Sequence, residues 1–208
     1  MNDFMNLVEL CRGHRVYIQT HNFPDPDAIA SAYGLQKLLG IYGVESKLCY
    51  DGRIDKLSAS KMLDTFQIQM LPYESLAADM QETDRIICVD SQKHAGNVTD
   101  FIGDEVACID HHPTFVPMEY KYQDIRITRP CATLNAEYYA QTGNSPDSDV
   151  ATALLYGLKM DTLQFTRGVT ELDIQMFGFL FPLCDQEKLT ELERNNMEFT
   201  DLKAYGAA

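Results

Sequence analysis

Short, densely apolar runs alternate along the chain with longer stretches in which apolar residues recur every three or four positions. Phe4, Leu7, Val8 and Cys11 have helical spacing and predict a short amphipathic helix over 2–12. RVYIQTH (15–21) reads as a buried strand running into NFPDPD, a loop with two prolines. Asp27 is placed to cap a helix through about Leu39, which Gly40 and Gly43 help to end. ESKLCYD (45–51) predicts a strand, and a helix follows near 57–66. RIICVDS (85–91) and EVACIDHH (105–112) are strongly apolar strands that end in polar residues. YKYQDIRIT (120–128) alternates like a more exposed strand. Helices are expected at 131–142, 148–160, 170–183 and 186–203. Strands alternate with helices, and several strands are apolar on both faces. The expectation is an α/β fold, a mainly parallel sheet with helices on both faces. One domain is expected over 1–184, with a polar helical tail over 185–208.

Composition adds limits. With 208 residues, 45% of them hydrophobic and 23% charged, the chain can bury a large core and is not of disordered type. The net charge of −14 disfavours long nucleic acids, whose backbones are gripped by Lys and Arg. A short oligonucleotide or small phosphate ester remains compatible, since bound divalent cations would reverse the local field. The six cysteines form no Cys-x-x-Cys pair and mostly fall in apolar runs, which suits buried thiols in a reducing cytosol. No basic stretch followed by an apolar one marks a signal peptide, and no apolar run approaches the ~18 residues of a membrane span. A cytoplasmic location is expected.

The chemistry collects at strand ends. His21 ends the first strand, and Asp25 and Asp27 lie in the loop behind it. Asp90 ends IICV; Asp110, His111 and His112 end VACI; Asp161 follows the apolar helical segment ATALLYGLKM. In an open α/β sheet, ligands bind beyond the carboxyl ends of the strands. One Asp after a strand is commonly a helix cap, but three strands ending in Asp and His are poorly explained as caps. Carboxylates so close together repel unless cations neutralise them. Carboxylate and imidazole ligands without thiolate suit Mn²⁺, Mg²⁺, Fe²⁺ or Co²⁺ rather than structural zinc.

Four segments together resemble the DHH phosphoesterase family. HNFPDPDA (21–28) is similar to its first motif, IICVDS (86–91) to the second, CIDHHP (108–113) to the Asp-His-His motif that names the family, and GLKMDTLQFTRG (157–168) to the fourth. The resemblance covers roughly residues 14–184 and implies two divalent metal ions, Mn²⁺ foremost. It implies that His21 and Asp25 hold one metal, that Asp27, His111 and Asp161 hold the other, and that Asp90 bridges both. By the same resemblance His112 faces the substrate phosphate or leaving group, and Asp110 orients the histidine pair from behind. Arg167 and Arg129 are candidate phosphate contacts. Hydrolysis by a metal-bridged hydroxide is implied, with short oligoribonucleotides or small nucleotide phosphates as substrates in the branch that also acts on 3′-phosphoadenosine 5′-phosphate. An inorganic pyrophosphatase or exopolyphosphatase is the alternative enzyme, and a non-catalytic metal- and nucleotide-binding module the alternative of another class. No Gly-Gly-Gly-His segment occurs, so the family's smaller C-terminal substrate domain is expected to be absent. A homodimer is left open.

Overall fold

The computed structural model describes residues 3–127 and 130–194. Six strands form one sheet: β1 (Val16–Gln19), β2 (Ser46–Tyr50), β3 (Met70–Pro72), β4 (Arg85–Val89), β5 (Asp104–Asp110) and β6 (Tyr122–Ile125). Seven α-helices accompany them among the described residues: α1 (Phe4–Cys11), α2 (Pro26–Ile41), α3 (Leu57–Phe66), α4 (Cys131–Gln141), α5 (Ser148–Asp161), α6 (Glu171–Leu180) and α7 (Gln186–Glu193). The strand order is β3-β2-β1-β4-β5-β6 and every pairing is parallel. The order reverses between β1 and β4, so connections leave these neighbours in opposite directions and open a crevice at their carboxyl ends.

The reversal also decides what covers each face. Parallel crossovers are right-handed, so the connections before and after the switch point lie on opposite sides. Val16, Ile18, Leu48, Ile87, Val89 and Ile109 face a core to which all seven helices contribute, among them Leu35 of α2, Leu134 of α4 and Leu154 of α5. Tyr17, Cys49, Ile86, Cys88 and Cys108 face a smaller core. Both faces are covered, but that second one is closed by a 3-10 turn (Tyr73–Ser75), Leu76, Met80 and Phe101 from the connections flanking β4. The Tyr73 and Phe101 rings stack at 3.9 Å and pin those two connections together. The cysteines are free thiols; Cys49, Cys88 and Cys108 sit on β2, β4 and β5 facing the smaller core, where burial raises their pKa and keeps them inert.

Three local details depart from the sequence expectation. Asp25, not Asp27, caps α2: its Oδ1 accepts from the backbone N–H of Asp27 and Ala28, with Pro26 in the first turn. β3 was not expected, being three residues long and ending in proline. The helix expected over 170–183 ends at Leu180 and tightens into a 3-10 turn, Phe181–Leu183, around Pro182. α7 accounts for the start of the helix expected over 186–203; residues from 195 onward lie outside those described. No described helix is long and apolar enough to cross a membrane.

Candidate metal centre

The crevice at the switch point receives its side chains from five elements of the fold. β1 delivers His21. The capped start of α2 delivers Asp25 and Asp27. β4 delivers Asp90, and β5 delivers Asp110, His111 and His112. Asp161 is the last residue of α5. The loops turn sharply here: Asp90 has φ 54, a left-handed conformation that Asp tolerates better than most residues. Beyond Asp161, Leu163, Gln164 and Phe165 are all left-handed, with φ of 47, 56 and 62. That turn is held by Phe165 N–H, which donates to the Thr162 hydroxyl.

Two groups of ligand atoms form. His21, Asp25 and Asp90 make one; Asp27, His111 and Asp161 make the other; within each, the atoms lie within 4.8 Å of one another. Asp90 joins them. Its Oδ2 is 3.7 Å from His21 Nε2 and its Oδ1 3.0 Å from His111 Nε2. His111 Nε2 is in turn 3.7 Å from Asp27 Oδ2. A third group, Asp90, Asp110, His111 and His112, overlaps the others.

Electrostatics mark this cluster as incomplete in itself. Asp27 and Asp90 are buried, and their carboxyls are pushed well above the ordinary range, first by burial and then by neighbouring carboxylates, Asp90 for the one and Asp25 for the other. Burial also lowers the pKa of His21. Asp90 Oδ1 and Asp161 Oδ2 are buried and accept no hydrogen bond; the Asp90 contact with His111 is close but poorly directed. Orphaned carboxylate oxygens facing imidazole nitrogens are the donor set a divalent cation would satisfy.

The supporting contacts were only partly visible in the sequence. Asp27 reaches across to the N-terminus of α4, accepting from the backbone N–H of Cys131 and Ala132 at 2.8 and 2.9 Å. It thereby stands in for the side-chain cap that α4 lacks at Pro130. Gly157 of α5 makes room for it, since a Cβ there would lie 2.8 Å from Ala30 Cβ and 3.3 Å from Asp27 Cα. Asp110 holds one histidine of the pair: His112 Nδ1 is 2.9 Å from its Oδ1. Gln92 Nε2 donates to the other oxygen of Asp110 and to the His112 carbonyl. Burial works against the Asp110 charge, but the hydrogen bonds from His112 and Gln92 outweigh it and hold the carboxyl below its ordinary range. The same hydrogen bond raises the pKa of His112 against the opposing effect of burial. Half of the His112 side chain is open to solvent, so it stands on the accessible side of the cluster. Arg167 folds back on the end of α5, donating to the Asp161 carbonyl at 3.0 Å. Arg129 lies outside the described residues. Lys56, unremarked in the sequence, brings its Nζ within 3.9 Å of Asp25 Oδ2.

Residues 15–158 match the DHH family, N-terminal domain. The chain belongs to that family. The match takes in every residue of the two ligand groups except Asp161, which lies just beyond it. The DHH-family chain is 31% identical over 177 residues to an uncharacterized protein of Methanocaldococcus jannaschii, covering 85% of this chain and 36% of that one. It is 29% identical over 153 residues to a probable manganese-dependent inorganic pyrophosphatase of Shouchella clausii, covering 70% of this chain and 47% of that one. Among solved structures, an exopolyphosphatase-related protein from Bacteroides fragilis superposes with a TM-score of 0.79 over 98% of this chain and 62% of its own, at 20% identity, which shows a shared fold. The DHH-family chain thus spans between about a third and a half of the curated relatives it matches.

Proposed function

We propose that this chain is a metal-dependent phosphoesterase whose substrates are short oligoribonucleotides or small nucleotide phosphates. The observation that carries the reading is the pair of ligand groups joined through Asp90, in which the Asp90 and Asp161 carboxylates each keep a buried oxygen without a hydrogen-bond partner while only Lys56, 3.9 Å from Asp25, and Arg167, 3.6 Å from Asp161, bring side-chain cations to the acidic ligands among the described residues. Two divalent cations fit them: one at His21 and Asp25, the other at Asp27, His111 and Asp161, with Asp90 between. Mn²⁺ is the first choice, supported by the donor chemistry and by the similarity to a probable manganese-dependent pyrophosphatase. When bound, such ions supply Lewis acidity toward a phosphoryl group and lower the pKa of water.

The protein's own residues have distinct parts in this reading. Asp25 and Asp27 are pre-oriented by backbone N–H groups, which leaves their remaining lone pairs for a cation. His112 lies at the open side. Its Nδ1 carries the proton toward Asp110, so its Nε2 is free to hold or give up a proton at a substrate oxygen. Gln92 and Asp110 fix the ring, as metal-site imidazoles are generally fixed from behind. All of these groups lie between residues 21 and 161, and α7, beyond the expected boundary at 184, packs into the main core through Leu189 and Leu192.

A second reading, hydrolysis of inorganic pyrophosphate or polyphosphate, is favoured by the names of the relatives. Metal content and turnover on one purified sample separate the two. About two Mn²⁺ per chain with mononucleotide released from a dinucleotide is the expected result. Phosphate from pyrophosphate and none from the dinucleotide would establish the second reading. Metal uptake with no turnover of either would leave a binding module, and no metal uptake would end the proposal.

A further inference from the structure

Next to His112 the surface sinks into a cavity of about 150 Å³. Asp90, Asp110 and His112 form its inner wall, so it opens directly onto the proposed phosphate position. Its outer walls are of another character: Ala95 and Asn97 on the β4–β5 connection, and Pro113, Phe115 and Val116 on the loop after β5. Phe115 is 82% exposed and Val116 45%, so two apolar side chains at the mouth of the recess face solvent.

The walls are tied in place before any ligand arrives. Lys93 N–H donates to the Tyr120 hydroxyl at 2.9 Å, linking the two connections, and Lys93 Nζ is held by Glu105 and Asp100. On the far side, Asn22 N–H donates to the Asn97 carbonyl at 2.8 Å. Thr99 bonds both the Asn22 amide and Asp51. The Ala95–Asn97 wall is therefore held in advance, and the exposed Phe115 ring lies at the rim.

From this geometry we infer that the recess seats the nucleobase of the substrate, with Phe115 as the stacking face and the Asn97 amide at the polar edge of the base. This rests on the phosphoesterase reading and narrows it to substrates with a heterocyclic base one phosphate away from the scissile position. The cavity is well below the ~300 Å³ at which drug-sized ligand sites begin, which suits one ring system and no more. Inorganic pyrophosphate offers nothing to an apolar wall, whereas every base has a π-face to stack. Phe115 and Asn97 are binding residues in this assignment and take no part in proton transfer.

The test is calorimetric titration of the full Mn²⁺-loaded chain with AMP, ribose 5-phosphate and inorganic phosphate. AMP is expected to bind on the order of tenfold tighter than ribose 5-phosphate, the usual effect of one aromatic stack. Phe115→Ala is expected to abolish that advantage while phosphate affinity stays as it was. Because Phe115 is exposed, the variant keeps its fold, which its melting curve checks; Val116→Ser gives a second, smaller loss. Equal binding of AMP and ribose 5-phosphate by the unmodified protein would overturn the inference, and so would an AMP advantage that survives Phe115→Ala. Failure of the phosphoesterase reading registers separately, as no hydrolysis of a dinucleotide by the same sample, and leaves the AMP preference intact.

Discussion

Replacing Asp90 by Asn tests the charge argument without disturbing shape. Asn has nearly the same volume and tolerates the left-handed backbone at φ 54. The carboxylate it removes is 3% exposed, has an oxygen with no hydrogen-bond partner, and sits among Asp25, Asp27, Asp110 and Asp161. Asn stays polar but carries no charge, so what the substitution removes is the desolvation of a carboxylate and its repulsion by its neighbours, on the order of 1–3 kcal/mol. Asp90→Asn should therefore stabilise the metal-free protein by about 1–3 kcal/mol at neutral pH. For a domain of this size each kcal/mol is worth about 2–4 °C, so the melting temperature in chelator should rise by about 2–12 °C. Saturating metal offsets that advantage. A ligand at a hundred times its Kd adds about 2.7 kcal/mol to the native state, and Asp90 is the side chain both proposed cation positions share. The unmodified chain should gain that stabilisation with Mn²⁺ and the variant should lose most of it, together with all turnover. Scanning calorimetry in chelator and in excess Mn²⁺ measures both effects. A variant less stable than the parent in chelator would refute the repulsion argument. An undiminished Mn²⁺ response would refute the shared-ligand assignment.

Other consequences can be checked independently. His112→Gln should leave Mn²⁺ stoichiometry unchanged while slowing hydrolysis by about 10²–10⁴-fold, the usual worth of a positioned acid or base; a change of metal content measured by elemental analysis would instead make it a ligand. Gly157→Ala drives a methyl into Ala30 and the start of α2, so denaturant unfolding should show a loss of about 1–3 kcal/mol and Mn²⁺ titration a weaker affinity. Gly40→Ala, which adds a methyl where nothing lies within 4 Å, should stabilise by about 0.5–1 kcal/mol without touching the metal. Far from the site, buried Asp84 accepts from Arg15 Nε at 2.8 Å and from the Gln81 N–H. Burial opposes its charge but these bonds prevail and its pKa is lowered. That stabilisation is present above the unfolded-state value of about 4 and lost as pH falls through the lower folded value. Asp84→Asn should cost about 1–3 kcal/mol at pH 7 and progressively less as pH falls through the folded value; a gap that did not narrow with acid would contradict the assignment.

The local elements were legible because their signals are local. α3 falls where helical spacing placed it, and β4 and β5 are apolar runs that could only be buried. That acidic and imidazole side chains would gather at one edge was legible too, since His21, Asp90 and Asp110–His112 follow apolar strands and Asp161 ends an apolar helix. What the sequence withheld is whatever depends on distance across the fold. Nothing near Asp27 announces that it will cap α4, because the partners at Cys131 and Ala132 are more than a hundred positions away. Gln92 is one polar residue among many until Asp110 comes beside it. β3 is too short and too close to a proline to register; it exists because β2 offers it an edge. The covering of the second face by loops follows from strand order, and strand order is not written in periodicity.

The unequal covering of the sheet separates what can vary from what cannot. Asp25, Asp27 and Asp161 are fixed to helices that pack on one another, and a change in any of them disturbs the common core. The recess beside His112 is built from the connections on the other face, whose lengths no helix dictates. Loops of this kind accept insertion and replacement far more readily than packed helices. Descendants of one ancestral chain could thus exchange the walls that meet the substrate while inheriting the acidic cluster unchanged. Divergence within the lineage should be concentrated between Gln92 and Gly103 and between Pro113 and Lys121.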